Sequence, residues 1–170
     1  MALRRAKREG EEAGTDASWR VLVVNDEPDA CELLVRLLSH AGHDVERNRD
    51  ATELNERLMM GTPPDVIVLD VAAGGIGGNL KLLDTVRGSR VEKVAATPVV
   101  LVAAAASSAM FSWQAGIDEF LVRPFHADEL VDAVAAAASR PAEERPRHRR
   151  VQMETARTGG RRRDVARPSG

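Results

Sequence analysis

VLVVNDEPD, residues 21 to 29, sets the fold: four apolar residues, Val21 to Val24, run directly into Asn25, Asp26 and Glu27, and then Pro28. A continuous Val/Leu run this short suits a strand buried on both faces, as in a parallel sheet covered by helices. The polar residues after it mark where the chain leaves the sheet, and Pro28 suits the first turn of a following helix.

Working outward, the same alternation repeats. Strand β1 (21 to 24) is followed by helix α1, whose Ala30, Leu33, Leu34, Leu37, Leu38 and Ala41 keep helical spacing up to a stop at Gly42. A weaker strand β2 covers His43 to Arg47, and α2 carries Ala51, Leu54 and Leu58. Then come β3 (VIVL, 66 to 69), α3 (Leu80 to Val86), β4 (VVLV, 99 to 102), α4 (Ser108 to Ala115), β5 (FLV, 120 to 122) and α5 (Asp128 to Ala138). Five βα units joined by right-handed crossovers give an α/β, doubly wound parallel sheet with helices on both faces. In such a sheet, functional groups gather beyond the carboxyl ends of the strands at the topological switch point.

Composition narrows the possibilities. The chain has 170 residues, 44% hydrophobic and 29% charged, which suits one globular domain with disordered ends. Aromatics are 3% and Tyr is absent, so a base-stacking platform is disfavoured. The single cysteine, Cys31, excludes an intrachain disulfide and a multi-Cys zinc site. The first twenty residues lack an apolar signal region, and nowhere do about eighteen apolar residues run together. A cytoplasmic location is the expectation. Net charge divides sharply: −9 over residues 21–139 against +6 over 140–170. The segment after Ser139, rich in Arg, Pro and Gly, shows almost no apolar periodicity. The expected organisation is a disordered N-terminal extension (1–19), one domain (20–139) and a basic disordered tail (140–170).

The strand ends supply the chemistry. β1 ends in Asn25, Asp26 and Glu27, β3 in Asp70, β4 in Ala103 and Ala104, and β5 in Arg123 and Pro124. Crowded carboxylates repel unless a cation lies between them, and hard oxygen ligands with open positions suit Mg²⁺. Asp70 could then attack a phosphoryl donor while the metal and Arg123 balance the developing charge.

At these residues the chain resembles response-regulator receiver domains of the CheY type. VLVVNDEPD resembles the family's acidic strand-1 end, PDVIVLD its phosphoacceptor strand and FLVRPF its strand-5 Lys-Pro signature, over roughly Arg20 to Ala138. The resemblance implies a flavodoxin-like five-stranded sheet in the order 2-1-3-4-5. Position by position, it implies Asp70 as phosphoacceptor, Asp26 as direct metal ligand and Asn25 where a second acid helps hold the metal indirectly. It also places Phe120 at the switch aromatic and makes the bond before Pro124 cis. The implied partners are a histidine kinase or phosphotransfer protein as donor and a downstream protein at the α4-β5-α5 face.

Departures from the family pattern are informative. Ala103 stands where a Thr or Ser hydroxyl would bind a phosphoryl oxygen. Arg123 replaces a Lys, and its fork suits a standing ion pair with Asp70. The loop VAAGGIGGN after Asp70 is glycine-rich, which suggests a mobile backbone. The stretch from Ala103 to Gly116 looks about two residues short.

Plainer roles stand beside these. Asp70 could cap a loop, Asp26 and Glu27 could start a helix, Arg123 could be a surface cation, and Phe120 suits the core. The GGIGGN run lacks the Gly-Lys-Ser/Thr of a phosphate loop. His40, His43, His126 and His148 share no ligand spacing and are expected in solvent. Met110, Phe111 and Trp113 form either core or a partner patch.

The reading is a stand-alone receiver in a phosphorelay, not an enzyme beyond self-catalysed phosphoryl transfer and hydrolysis at Asp70. Its alternatives are a phosphorylation-independent pseudo-receiver and a nucleic-acid binder acting through the Arg-rich tail.

Overall fold

The computed structural model describes residues 17–165. Five parallel strands, β1 (Arg20–Val24), β2 (Asp44–Asn48), β3 (Val66–Leu69), β4 (Val99–Ala103) and β5 (Glu119–Val122), form one sheet in the order β2-β1-β3-β4-β5. The strands are linked by α1 (Pro28–His40), α2 (Ala51–Leu58), α3 (Gly75–Arg87) and α4 (Ala109–Ala115), and α5 (Ala127–Ser139) follows β5. A single helical turn, Glu92–Ala95, precedes β4. This is the flavodoxin-like order that the resemblance implied.

Although the strands are apolar throughout, successive side chains still point to opposite faces. Leu22, Val24, Ile67, Leu69 and Leu101 pack beneath α2, α3 and α4 with Leu54, Leu83 and Val86. Val21, Val23, Val68 and Val102 pack on the other face with Leu34 and Leu38 of α1 and with Leu130 and Val134 of α5. The α1 stripe is narrower than its spacing suggested: Cys31, Leu34 and Leu38 are buried, whereas Leu33 is exposed.

Three expectations need correction. First, α3 begins at Gly75, five residues earlier than expected, so the second half of VAAGGIGGN is helix rather than mobile loop. Gly74 makes the turn in the left-handed region at φ 77°, and the helix packs so closely at Gly78 that a Cβ there would collide with the Ala73 carbonyl. Second, the N-terminal extension is anchored by residue 18. Ser18 Oγ donates to the Gly42 carbonyl (2.8 Å), and the Trp19 N–H donates to His43 Nδ1 (3.3 Å), so His43 is buried rather than solvated. Residues 1–16 lie outside the described residues.

The third correction is the largest. The expected disordered tail contains a helix, α6 (Arg145–Val165), reached through a short 3-10 turn at Ala142–Glu144. It lies against α4, held by arginines that reach the buried carboxylate of Asp118. Residues 166–170 lie outside the described residues. No described helix is long and apolar enough to cross a membrane.

Candidate functional site

The sheet order changes direction between β1 and β3, and the register pairs Val24 with Leu69. Asn25, Asp26 and Asp70 therefore leave neighbouring strands at the same level, at the topological switch point. The ladder extends one step further on both sides: the Asp70 N–H donates to the Val24 carbonyl (2.9 Å) and the Asn25 N–H to that of Asn48 (3.0 Å). The backbone that aims these side chains is thus part of the sheet.

Asp70 is only 3% exposed. Its Oδ2 accepts from the Asn25 side-chain amide (2.9 Å) and from the Arg123 guanidinium, while Oδ1 accepts no hydrogen bond among the described residues. Asn25 is itself fixed, because its Oδ1 accepts from the Glu27 N–H (2.8 Å). Arg123 comes from the residue after β5, its own N–H donates to the Ala103 carbonyl (3.0 Å), and its Pro124 bond is cis. Its side chain remains 42% exposed, so the cation lies at the surface with the buried acid beneath it.

Asp26 points across to the β3–α3 loop, where its two oxygens accept from the Ala72 (2.8 Å) and Ala73 (2.9 Å) N–H groups. Asn79 braces the same loop from inside α3. Its Oδ1 accepts from the Val71 N–H (2.9 Å), and its amide donates to the Val102 carbonyl of β4 (3.3 Å). The sequence reading missed Asn79; a polar residue on the sheet-facing side of a helix was the available signal.

The two acids titrate in opposite directions. Burial pushes the Asp70 carboxyl up to about 6 against the pull of Arg123 and Asn25, with Asp26 and Glu27 pushing further upward. Partial burial opposes ionisation of Asp26 as well, but the Ala72 and Ala73 N–H groups and Arg123 outweigh it and hold the carboxyl below its ordinary value.

The structure thus brings Asn25, Asp26, Asp70 and Arg123 together. Ala103, 5% exposed, ends β4 with a methyl and no hydroxyl donor. Phe120 lies apart from the cluster, half-buried and lining a groove beside Trp113 of α4. Trp113 is buried, whereas Phe111 is exposed, so the aromatic segment divides between core and surface. Asp118, also missed, takes no part in this cluster.

For a divalent metal, the chemistry of the donor set is the test. No cluster of three or more His, Cys, Asp or Glu suited to a metal occurs among the described residues. Mg²⁺, however, keeps several waters and takes one or two carboxylates plus phosphate oxygens. Asp26 and Asp70 are hard donors close enough for one to raise the other's pKa, a repulsion that a cation relieves. They fit such an ion in kind, provided Asp26 gives up its backbone contacts.

The chain matches the family model described as response regulator receiver domain over residues 21–135. It is 32% identical over 146 residues to the transcriptional regulatory protein TcrA of Mycobacterium tuberculosis, covering 85% of this chain and 55% of that protein. The chain spans about half the length of the curated relatives it matches. Among solved structures, it is similar to the response regulator protein TrrA of Thermotoga maritima, determined in complex with Mg²⁺-BeF (28% identity, TM-score 0.58, 68% of this chain and 96% of that one). It is also similar to the receiver domain of a signal transduction histidine kinase from Syntrophus aciditrophicus (25% identity, TM-score 0.61, 72% and 91%).

Proposed function

The chain belongs to the response regulator receiver domain family of two-component signalling, and on that premise we propose that Asp70 is its phosphoryl acceptor. The observation that carries this reading is the division of labour within one carboxylate. Oδ2 is fixed by Asn25 and Arg123, which leaves Oδ1 as the oxygen able to attack phosphorus. The donor is a phosphohistidine of a kinase or phosphotransfer protein, or a small acyl phosphate. Attack forms the Asp70 Oδ1–P bond as the donor's P–N or P–O bond breaks, leaving an acyl phosphate that water later hydrolyses. Arg123, partly exposed above Asp70, lies where the incoming phosphoryl charge accumulates and can turn from Asp70 Oδ2 toward it.

Asp26 and Asp70 are the residues that would hold Mg²⁺, with Asn25 acting through water. Bound there, the ion would neutralise charge on the phosphoryl oxygens. Ala103 offers that phosphoryl group no hydroxyl, so its hydrogen bonds come from Arg123 and the β3–α3 loop. The test is intact mass after incubation with Mg²⁺ and acetyl phosphate. Wild type should gain one phosphoryl group and Asp70→Asn none; equal gain in both rules Asp70 out.

A second reading, a module that binds its partner without phosphorylation, is favoured by the Arg123–Asp70 ion pair together with the methyl at Ala103. Under it, neither acetyl phosphate nor a cognate kinase adds mass, and Asp70→Asn leaves partner binding unchanged.

A further inference from the structure

α6 is a strongly polar helix. Up to Gly159, the side chains it turns toward the domain are Arg145, His148, Arg149, Gln152, Met153 and Ala156, spaced by three and four, and of these only Met153 and Ala156 are apolar. Such a helix has too little apolar surface to be held by packing, and isolated helices of this kind are marginal in water. Its attachment is concentrated near its N-terminal end. Arg145 grips both oxygens of Asp118 (Nε to Oδ1, 2.6 Å; Nη2 to Oδ2, 3.0 Å). Arg149, one turn later, donates to Asp118 Oδ1 (3.3 Å) and to the Ile117 carbonyl (2.9 Å). Between them His148 meets Trp113 edge-on, with ring centres 5.4 Å apart.

Beyond this latch Met153 packs against the domain's core, but the fit beside it is open. A groove of roughly 600 Å³ separates Met110, Trp113 and Phe120 on the domain from Gln152 and Ala156 on the helix, unlike the close packing of a core. Asp118 also has partners of its own inside the domain: Arg87 (3.0 Å) and the Val99 N–H (2.8 Å) both donate to Oδ2. Withdrawal of α6 therefore leaves no stranded buried charge, the usual obstacle to opening an ion-paired contact.

We infer that α6 is a detachable cover of the α4–β5 face, latched by the two arginines on Asp118 and with little apolar packing beyond Met153. The inference goes beyond the phosphoacceptor reading and does not depend on it.

Hydrogen exchange on the full chain tests it, with Arg145→Ala/Arg149→Ala as the variant and Trp113 emission followed in a Trp19→Phe background. In wild type, α6 amides should exchange well ahead of those in β1 and β3. In the double variant, α6 should lose protection by roughly a hundredfold, about tenfold for each arginine removed. The strands should remain as protected as before, and Trp113 emission should move to the red. Exchange of α6 in step with the strands in wild type would overturn the inference. So would unchanged α6 protection in the variant, or loss of strand protection along with α6, since either would make α6 something other than a latched cover.

Discussion

Asp70 is a carboxylate that burial drives toward neutrality while one guanidinium pulls it back, and its balance has a consequence for stability. Its folded pKa of about 6 lies above the ordinary aspartate value of about 3.9. Between those values the unfolded chain has released a proton that the folded protein still holds. Stability from this group is therefore fullest below about pH 4, falls as pH rises to 6 and is flat beyond, a loss of about 3 kcal/mol. Asp70→Asn removes the loss, because a neutral amide has no charge to desolvate, and Arg123 is exposed enough to turn to water. Urea unfolding should find Asp70→Asn more stable than wild type at pH 7, by up to about 3 kcal/mol, with the difference vanishing at pH 4. A variant less stable than wild type at pH 7 would mean that the Arg123 ion pair, and not burial, governs this acid. Under the phosphoacceptor role proposed for Asp70, this replacement would trade function for stability.

At the scale of elements, the β3–α3 junction is the part of the site with least room for change. Asp26, Asn79 and the approach at Gly78 together fix the loop that follows Asp70. Gly78→Ala would add helix propensity worth about 1 kcal/mol, but it drives a methyl into the Ala73 carbonyl, and overpacking of that kind costs about 1–3 kcal/mol. The expected outcome is a lower Tm, with amide shifts concentrated in residues 71–79; a raised Tm would show that the loop yields easily. The sequence made the strands legible, because VLVV, VIVL and VVLV are bounded by polar residues, and it made Asp70 legible, because an acid closing a buried strand needs a reason. The start of α3 was not legible: GGIGG has poor helix propensity, and the features that place a helix there, Asp26 holding the turn at Ala72 and Ala73 and Ile76 packing on the core, are tertiary. α6 was missed for a related reason. Its docked face keeps the three-and-four spacing, but arginine, histidine and glutamine occupy it, and a search for apolar periodicity passes over ion-paired positions.

At the scale of the whole molecule, the division of charge along the chain becomes partly a contact within it. Arg140, Arg145 and Arg149, three of the cations behind the +6 of residues 140–170, are engaged by Asp118 and Glu119 of the acidic domain. They are correspondingly less available to nucleic acid, which weakens the reading built on a free basic tail. One end of β5 brings Arg123 to Asp70, while Phe120 on the same strand lines the groove that α6 covers. The acidic cluster and the covered face thus share a strand, and the central claim is that this cluster is chemically active. Borohydride reduction of protein treated with Mg²⁺ and acetyl phosphate, followed by peptide sequencing by mass spectrometry, addresses this most directly, because an aspartyl phosphate is reduced to homoserine while a free aspartate is untouched. The account predicts homoserine at position 70; homoserine at another acid, or unmodified aspartate at every position, would contradict it.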